Sequence, residues 1–240
     1  MRLKQLLAAG LWLELTAVPL GAQLRANRPS TVPVNLPRLL VANPHSFSAQ
    51  DSTASVRVGA GLRDRSEDVA EKWYKTLTRA QMNEALQQYA YPVDAVLPPM
   101  VARQLATSLQ ARVMIISTML KGEGGRYAVE ARLTGTNDDA GQMVRLTQNP
   151  NESFEDFGAR IATAFAPAFK ALPEAKQCET LRQTQPDKAQ EAALKAIKLL
   201  PNSGLAHYCQ AQISLAKKAP VDTIIAHLKI ATEGDPLSLP

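Results

Sequence analysis

The chain has 240 residues, of which 45% are hydrophobic and only 5% aromatic. That is enough for one domain of ordinary size with a small appendage, and too apolar for general disorder. The net charge of +5 comes from Lys and Arg interspersed with Asp and Glu. Without a concentrated basic patch, nucleic acid is not an expected partner.

Residues 1–22 have the layout of a secretory signal peptide. Arg2 and Lys4 precede an apolar run from Leu6 to Leu13, Leu15 to Leu20 extend it, and Gly21 and Ala22 place the cut after Ala22. Glu14 and Pro19 argue against a helix that stays in the bilayer, because a charge near its centre is expensive. The expectation is an exported protein of the periplasm or cell envelope, with no integral span after cleavage. Residues 23–37 carry Pro29, Pro33 and Pro37 and read as an extended linker.

A buried first strand is expected at Arg38–Ala42, stopped by Asn43-Pro44. Asp51 or Ser52 caps a helix on which Val56, Leu62, Val69 and Trp73 lie at loosely helical spacing, across Gly59 and Gly61. Tyr74–Leu77 reads as a short strand. Thr78 caps a helix with Met82, Leu86 and Tyr89 on one face. Pro98 and Pro99 open the next, whose stripe is Val101, Leu105 and Leu109. The densest β signal follows. Ala111–Leu120 is rich in Val, Met and Ile, Tyr127 to Leu133 alternate apolar and polar, and Met143–Leu146 is a third strand. Gly122–Gly125 and Asn137–Gly141 are turns, so the three form an antiparallel meander. Ser153 then caps a helix that buries Phe154, Phe157, Ile161 and Phe165.

The expected fold is therefore an α/β domain with a mixed sheet, the meander plus an N-terminal strand, followed by an all-α segment. In that segment Asp187–Pro201 and Val221–Pro236 share a pattern. Ala189, Ala193 and Ala196 match Ile224, Leu228 and Ala231, and each segment closes on a proline. This resembles the tetratricopeptide repeat, a helix-turn-helix unit that buries its apolar face only by stacking on neighbours and usually holds other proteins. Asp235 to Pro240 resemble the entry to a further repeat, so this end either continues an array or docks onto something.

A second resemblance covers about residues 38–169. Arg38-Leu-Leu-Val-Ala, Pro92-Val-Asp-Ala-Val96, Ala111-Arg-Val-Met-Ile-Ile-Ser, Tyr127-Ala-Val-Glu-Ala-Arg-Leu, Asp138-Asp-Ala-Gly141 and Glu155-Asp-Phe-Gly are similar to the TolB amino-terminal and CsgG-like cores. Such cores often precede tetratricopeptide repeats in bacterial envelope proteins. The domain reading is then 1–22 signal peptide, 23–37 linker, 38–169 TolB amino-terminal/CsgG-like domain and 170–240 helical repeats, either complete or an incomplete set. The shared motifs are structural, and no functional residue carries over.

Residues for catalysis are not in evidence. His45, His207 and His227 lack metal-ligand spacing to one another or to cysteine. Gly59-Ala-Gly61 and Gly122-Glu-Gly-Gly125 are not phosphate loops. Glu67-Asp68 and Asp138-Asp139 are adjacent pairs, which diverge on a helix and are usually solvated in a turn. No enzyme activity, cofactor or metal is expected. Cys178 and Cys209 share an Ala-x-x-Cys frame on successive helices. They are either a disulfide, in an oxidising compartment, or two buried thiols. Packed helices lie about 8–10 Å apart, beyond disulfide reach unless the helices shift.

The function these features imply is a non-catalytic scaffold that binds a protein or peptide. Lys176, Arg182, His207 and Gln210 are the candidate partner-binding residues on the first helices. The alternative is a ligand-sensing regulatory module built on the α/β domain.

Overall fold

The protein is described by a computed structural model over residues 36–237, and the expected signal peptide and nearly all of the linker lie outside the described residues. A mixed sheet runs in the order β3-β1-β4-β5-β6 and is followed by a multi-helix region. β1 (Arg38–Val41) lies inside the sheet, parallel to β3 (Lys75–Thr76) on one side and β4 (Ala111–Lys121) on the other. β4, β5 (Tyr127–Gly135) and β6 (Gly141–Thr147) form the antiparallel meander. His45 and Ser46, for which the sequence predicts no element, form a two-residue strand, β2, parallel to Thr118 and Met119 of β4.

Strand side chains alternate between two faces, and each face has its own core. Leu39, Val41, Val113, Ile115, Met119, Val129, Ala131 and Leu133 point to the first. They meet α1 (Ser52–Ala70), α4 (Phe154–Ala164) and α5 (Ala166–Leu181), which supply Val58, Leu62, Phe157, Ile161, Phe165, Phe169 and Leu172. Leu40, Ala42 and Met114 point to the second face, under α2 (Arg79–Gln88) and α3 (Pro99–Ser108). A β1 buried on both faces explains why its sequence is a continuous apolar run.

Local signals account for the helix ends. Thr78 and Gln81 form a reciprocal capping box on α2, and the Ser153 hydroxyl accepts from Asp156 N at the start of α4. Gly61 of α1 and Gly158 of α4 have a packing role. A Cβ on Gly61 would lie 2.0 Å from Glu155 O, and one on Gly158 would lie 2.1 Å from Val58 O. α1 and α4 therefore cross nearly backbone to backbone, and the buried face of α1 is Ala54, Val58, Leu62 and Ala70 rather than Val56.

The last sheet edge is closed at both ends. Gly141 N donates to Asp235 Oδ2 at 2.7 Å, and Thr147 O accepts from Arg160 Nη2 at 2.8 Å. Groups so occupied cannot template another strand.

Candidate functional site

Four helices form the end of the molecule: α5, α6 (Pro186–Leu199), α7 (Gly204–Ala216) and α8 (Val221–Gly234). Four-residue connections make neighbours antiparallel, so α5 packs on α6 and α7 on α8, with α7 against both α5 and α6. α5 is a single 16-residue helix. It starts at Ala166 and continues through Pro173. Burial of Phe169, Leu172 and Ala175 along one face offsets the hydrogen bond that proline cannot make. The same helix buries Phe169 in the α/β core and Cys178 in the cluster beneath α6 and α7.

Small residues set the spacing of these helices. Ala175, Ala189, Ala193, Ala196 and Ala206 are fully buried. With so little side chain between them, Cys178 and Cys209 come within 6.3 Å Cα to Cα and are joined by a disulfide. The spacing of helix axes overstates the distance between residues on facing surfaces, which is why the expected 8–10 Å did not apply.

Two of the four candidate partner-binding residues are internal. His207 and Gln210 are 5% and 4% exposed, so neither lies on an open groove. Gln210 Nε2 donates to Gln190 O at 3.2 Å, tying α7 to α6. His207 Nε2 lies 2.8 Å from Pro201 O, and its Nδ1 lies 3.0 Å from Nδ1 of His227. A carbonyl only accepts, so His207 donates from Nε2 and accepts at Nδ1, and His227 donates from its own Nδ1. The ring centroids are 5.3 Å apart, about as far as that nitrogen contact allows. The nitrogens thus face each other across one proton instead of converging on a third point. Burial, and then the neighbouring His207, hold the His227 pKa below its ordinary value. The histidines read as scattered are therefore two halves of an α7–α8 link.

The other two candidates are at the surface. Lys176 donates to Asp138 Oδ1 in the β5–β6 turn. That carboxylate also accepts from Gly135 N at 3.1 Å and is only 9% exposed, unlike the solvated turn acid expected. Arg182 lies 3.6 Å from Glu179 and lines a hollow of about 350 Å³ with Pro186, Gln212, Ile213 and Lys217. Burial raises the Glu179 pKa, and Arg182 partly opposes that shift.

The feature the sequence reading missed is the outer face of α8. Ile224, Leu228 and Ala231 were matched to buried alanines of the preceding unit, yet α8 buries only Ala231 and Gly234. Val221, Ile225 and Leu228, at helical spacing, are 67%, 55% and 37% exposed. Val221, Ile224, Ile225, Leu228 and Ile230 span a wider arc than one packing face needs, and that was the available signal. The far end of α8 is anchored. Asp235, fully buried, pairs with Arg132 of β5 at 2.7 Å. This pair ties the end of α8 to the sheet.

Among the described residues, no group of three or more His, Cys, Asp or Glu is placed to hold a metal. None of their helices is long and apolar enough to cross a membrane. Neither a protein-family model nor a curated protein matches the chain. Two solved structures of the PelC dodecamer from Paraburkholderia phytofirmans, one of a point variant, are similar to part of it. Each has 12% identity and a TM-score of 0.34, covering 58% and 57% of this chain and 94% and 91% of the PelC chain.

Proposed function

We propose that this chain is a non-catalytic, exported scaffold of the bacterial cell envelope that holds a protein partner on α8. The observation that carries the reading is the exposed apolar row Val221, Ile225 and Leu228 on a helix whose other end is fixed by Asp235. Contiguous apolar surface on an otherwise polar exterior marks an interaction site, and helix faces with this spacing are read by apolar grooves or by further helices. We read α5–α6 and α7–α8 as two units of tetratricopeptide type, and residues 38–169 as a TolB amino-terminal/CsgG-like core. The alanine-lined helix pairs support the first assignment. The Cys178–Cys209 bridge supports an oxidising compartment. Commitment of Asp235 to Arg132 and of His207 to Pro201 supports a structural role for the buried polar groups.

Photo-crosslinking in the envelope of expressing cells tests the reading. A photoreactive residue at Ile225 is expected to give a discrete protein adduct, while one at the exposed Arg65 of α1 is not. Serine at Val221 and Leu228 should abolish the adduct without changing the fold. Equal adducts from both positions, or none from α8, would overturn the scaffold role. Two free thiols in protein alkylated inside the cell would overturn export.

A further inference from the structure

On the second face of the sheet the helical layer stops short. α2 and α3 cover β1 and part of β4, while Glu130 and Arg145, paired across β5 and β6 at 2.7 Å, are each about half exposed. Beside them Ile116, Arg132 and Met143 stand in register across the three strands. They form the floor of a half-open groove of about 210 Å³, walled by Met100 and Arg103 of α3 and by Leu237 beyond α8. Met100 and Leu237 are 70% and 59% exposed, so two large apolar side chains flank one groove.

The arginines of this groove differ in their partners. Arg132 is neutralised by Asp235 at 2.7 Å, and Glu130 by Arg145. Arg103 donates from Nη1 to Thr136 O at 2.6 Å, and among the described residues it has no carboxylate in ion-pair contact. Its partial burial and the charge of Arg132 both push its pKa down, with Asp138 and Asp139 opposing, yet a guanidinium stays protonated. Arg103, a cation with no ion-pair partner among the described residues, therefore stands beside the apolar side chains Met100, Ile116, Met143 and Leu237.

We propose that this groove binds a small amphipathic anion, with a carboxylate against Arg103 and a short apolar tail over Ile116 and Met143. Charge complementarity selects the head group, since a charge-assisted pair in a partly dry site outweighs a neutral contact. The volume lies below the usual range for drug-sized ligands, about 300–1,000 Å³, which selects a short tail. The site is separate from α8 and does not depend on the scaffold reading.

The test is a titration of the full chain, followed by amide NMR shifts, with octanoate, 1-octanol and octylammonium. Octanoate should saturate, with shifts centred on Ile116, Thr118 and Met143, and should bind roughly tenfold or more tighter than octanol. Arg103→Gln should bring octanoate down to the level of octanol. Because that change also removes a bond to Thr136, Met143→Glu gives a second arm. A carboxylate on the floor should weaken octanoate and leave octylammonium unweakened. Serine at Val221 and Ile225 should leave octanoate binding unchanged. Equal affinity for all three probes, shifts centred on α8, indifference to Arg103→Gln or absence of saturation would each overturn the proposal.

Discussion

Beneath the sheet, from α1 to the start of α5, the buried positions hold large side chains: Leu62, Phe157, Ile161, Phe165 and Phe169, all fully buried. Between α6 and α7 many of the buried positions hold alanine, Ala189, Ala193, Ala196 and Ala206, with Leu205 and Ile213 as the larger side chains. A buried Leu, Ile or Phe contributes about 1.5–3 kcal/mol, whereas a buried alanine adds little more than one methyl group. The alanines let the helices approach closely but supply little of the energy. What closes the helical end is directed: a disulfide, the His207–His227 link, Gln210 on Gln190, and Asp235 on Arg132. The body is thus held by volume and the helical pairs by specific bonds, and single changes should act differently in the two.

The largest effect is expected in the body. Phe165→Ala should cost about 4 kcal/mol, the transfer loss plus an unfilled cavity, measured by chemical denaturation. Because Phe165 joins α4 to α5 and packs near Phe169, the loss should appear at every probe in one transition. A two-step transition, or a loss confined to the helices, would break the contrast.

Next comes the disulfide. It spans 31 residues, and in the chain-entropy account closing a loop of that size contributes about 3.7 kcal/mol. Replacing Cys178 and Cys209 by serine should speed amide exchange in α7 and α8 well before β4 and β5 are affected. Equal acceleration in the sheet would mean that the helical pairs do not open on their own. Asp235→Asn should follow, at about 2 kcal/mol, from weakening charge-assisted bonds to Arg132 and the Gly141 amide. The signature to look for is faster exchange at Gly141 and at the end of α8 with little change near Cys209.

This contrast also sets what the sequence made legible. The body is specified by local patterns: the Val-Met-Ile run of β4, the alternation of β5, the Thr78 and Ser153 caps. The directed bonds are not local. Arg132 and Asp235 are 103 residues apart, and His207 and His227 are 20 apart on different helices. No periodicity links such pairs. β2 was invisible because two residues carry no alternation. Gly61 was visible but its role was not, since that role lies in how closely the missing Cβ lets α4 approach. The α8 face was misassigned because an apolar stripe looks the same whether it is covered or bare.

The smallest expected effect lies in the His207–His227 link and concerns pH. Burial, then His207, holds the folded His227 pKa below its ordinary value of 6.5. The unfolded chain therefore binds that proton more readily than the folded one, so stability is lost as pH falls below 6.5 and is kept above it. Glu179 acts the other way. Its raised pKa means the folded state takes up a proton first, so it adds stability as pH falls. The two are separated by His227→Asn, whose side-chain amide can still donate to His207 Nδ1 but does not titrate. Denaturation midpoints taken from about pH 7 to about pH 5.5 should fall less steeply in this variant than in the parent. Identical slopes would place the single-proton link outside the energetics of the α7–α8 pair and leave the disulfide and Asp235 to hold it.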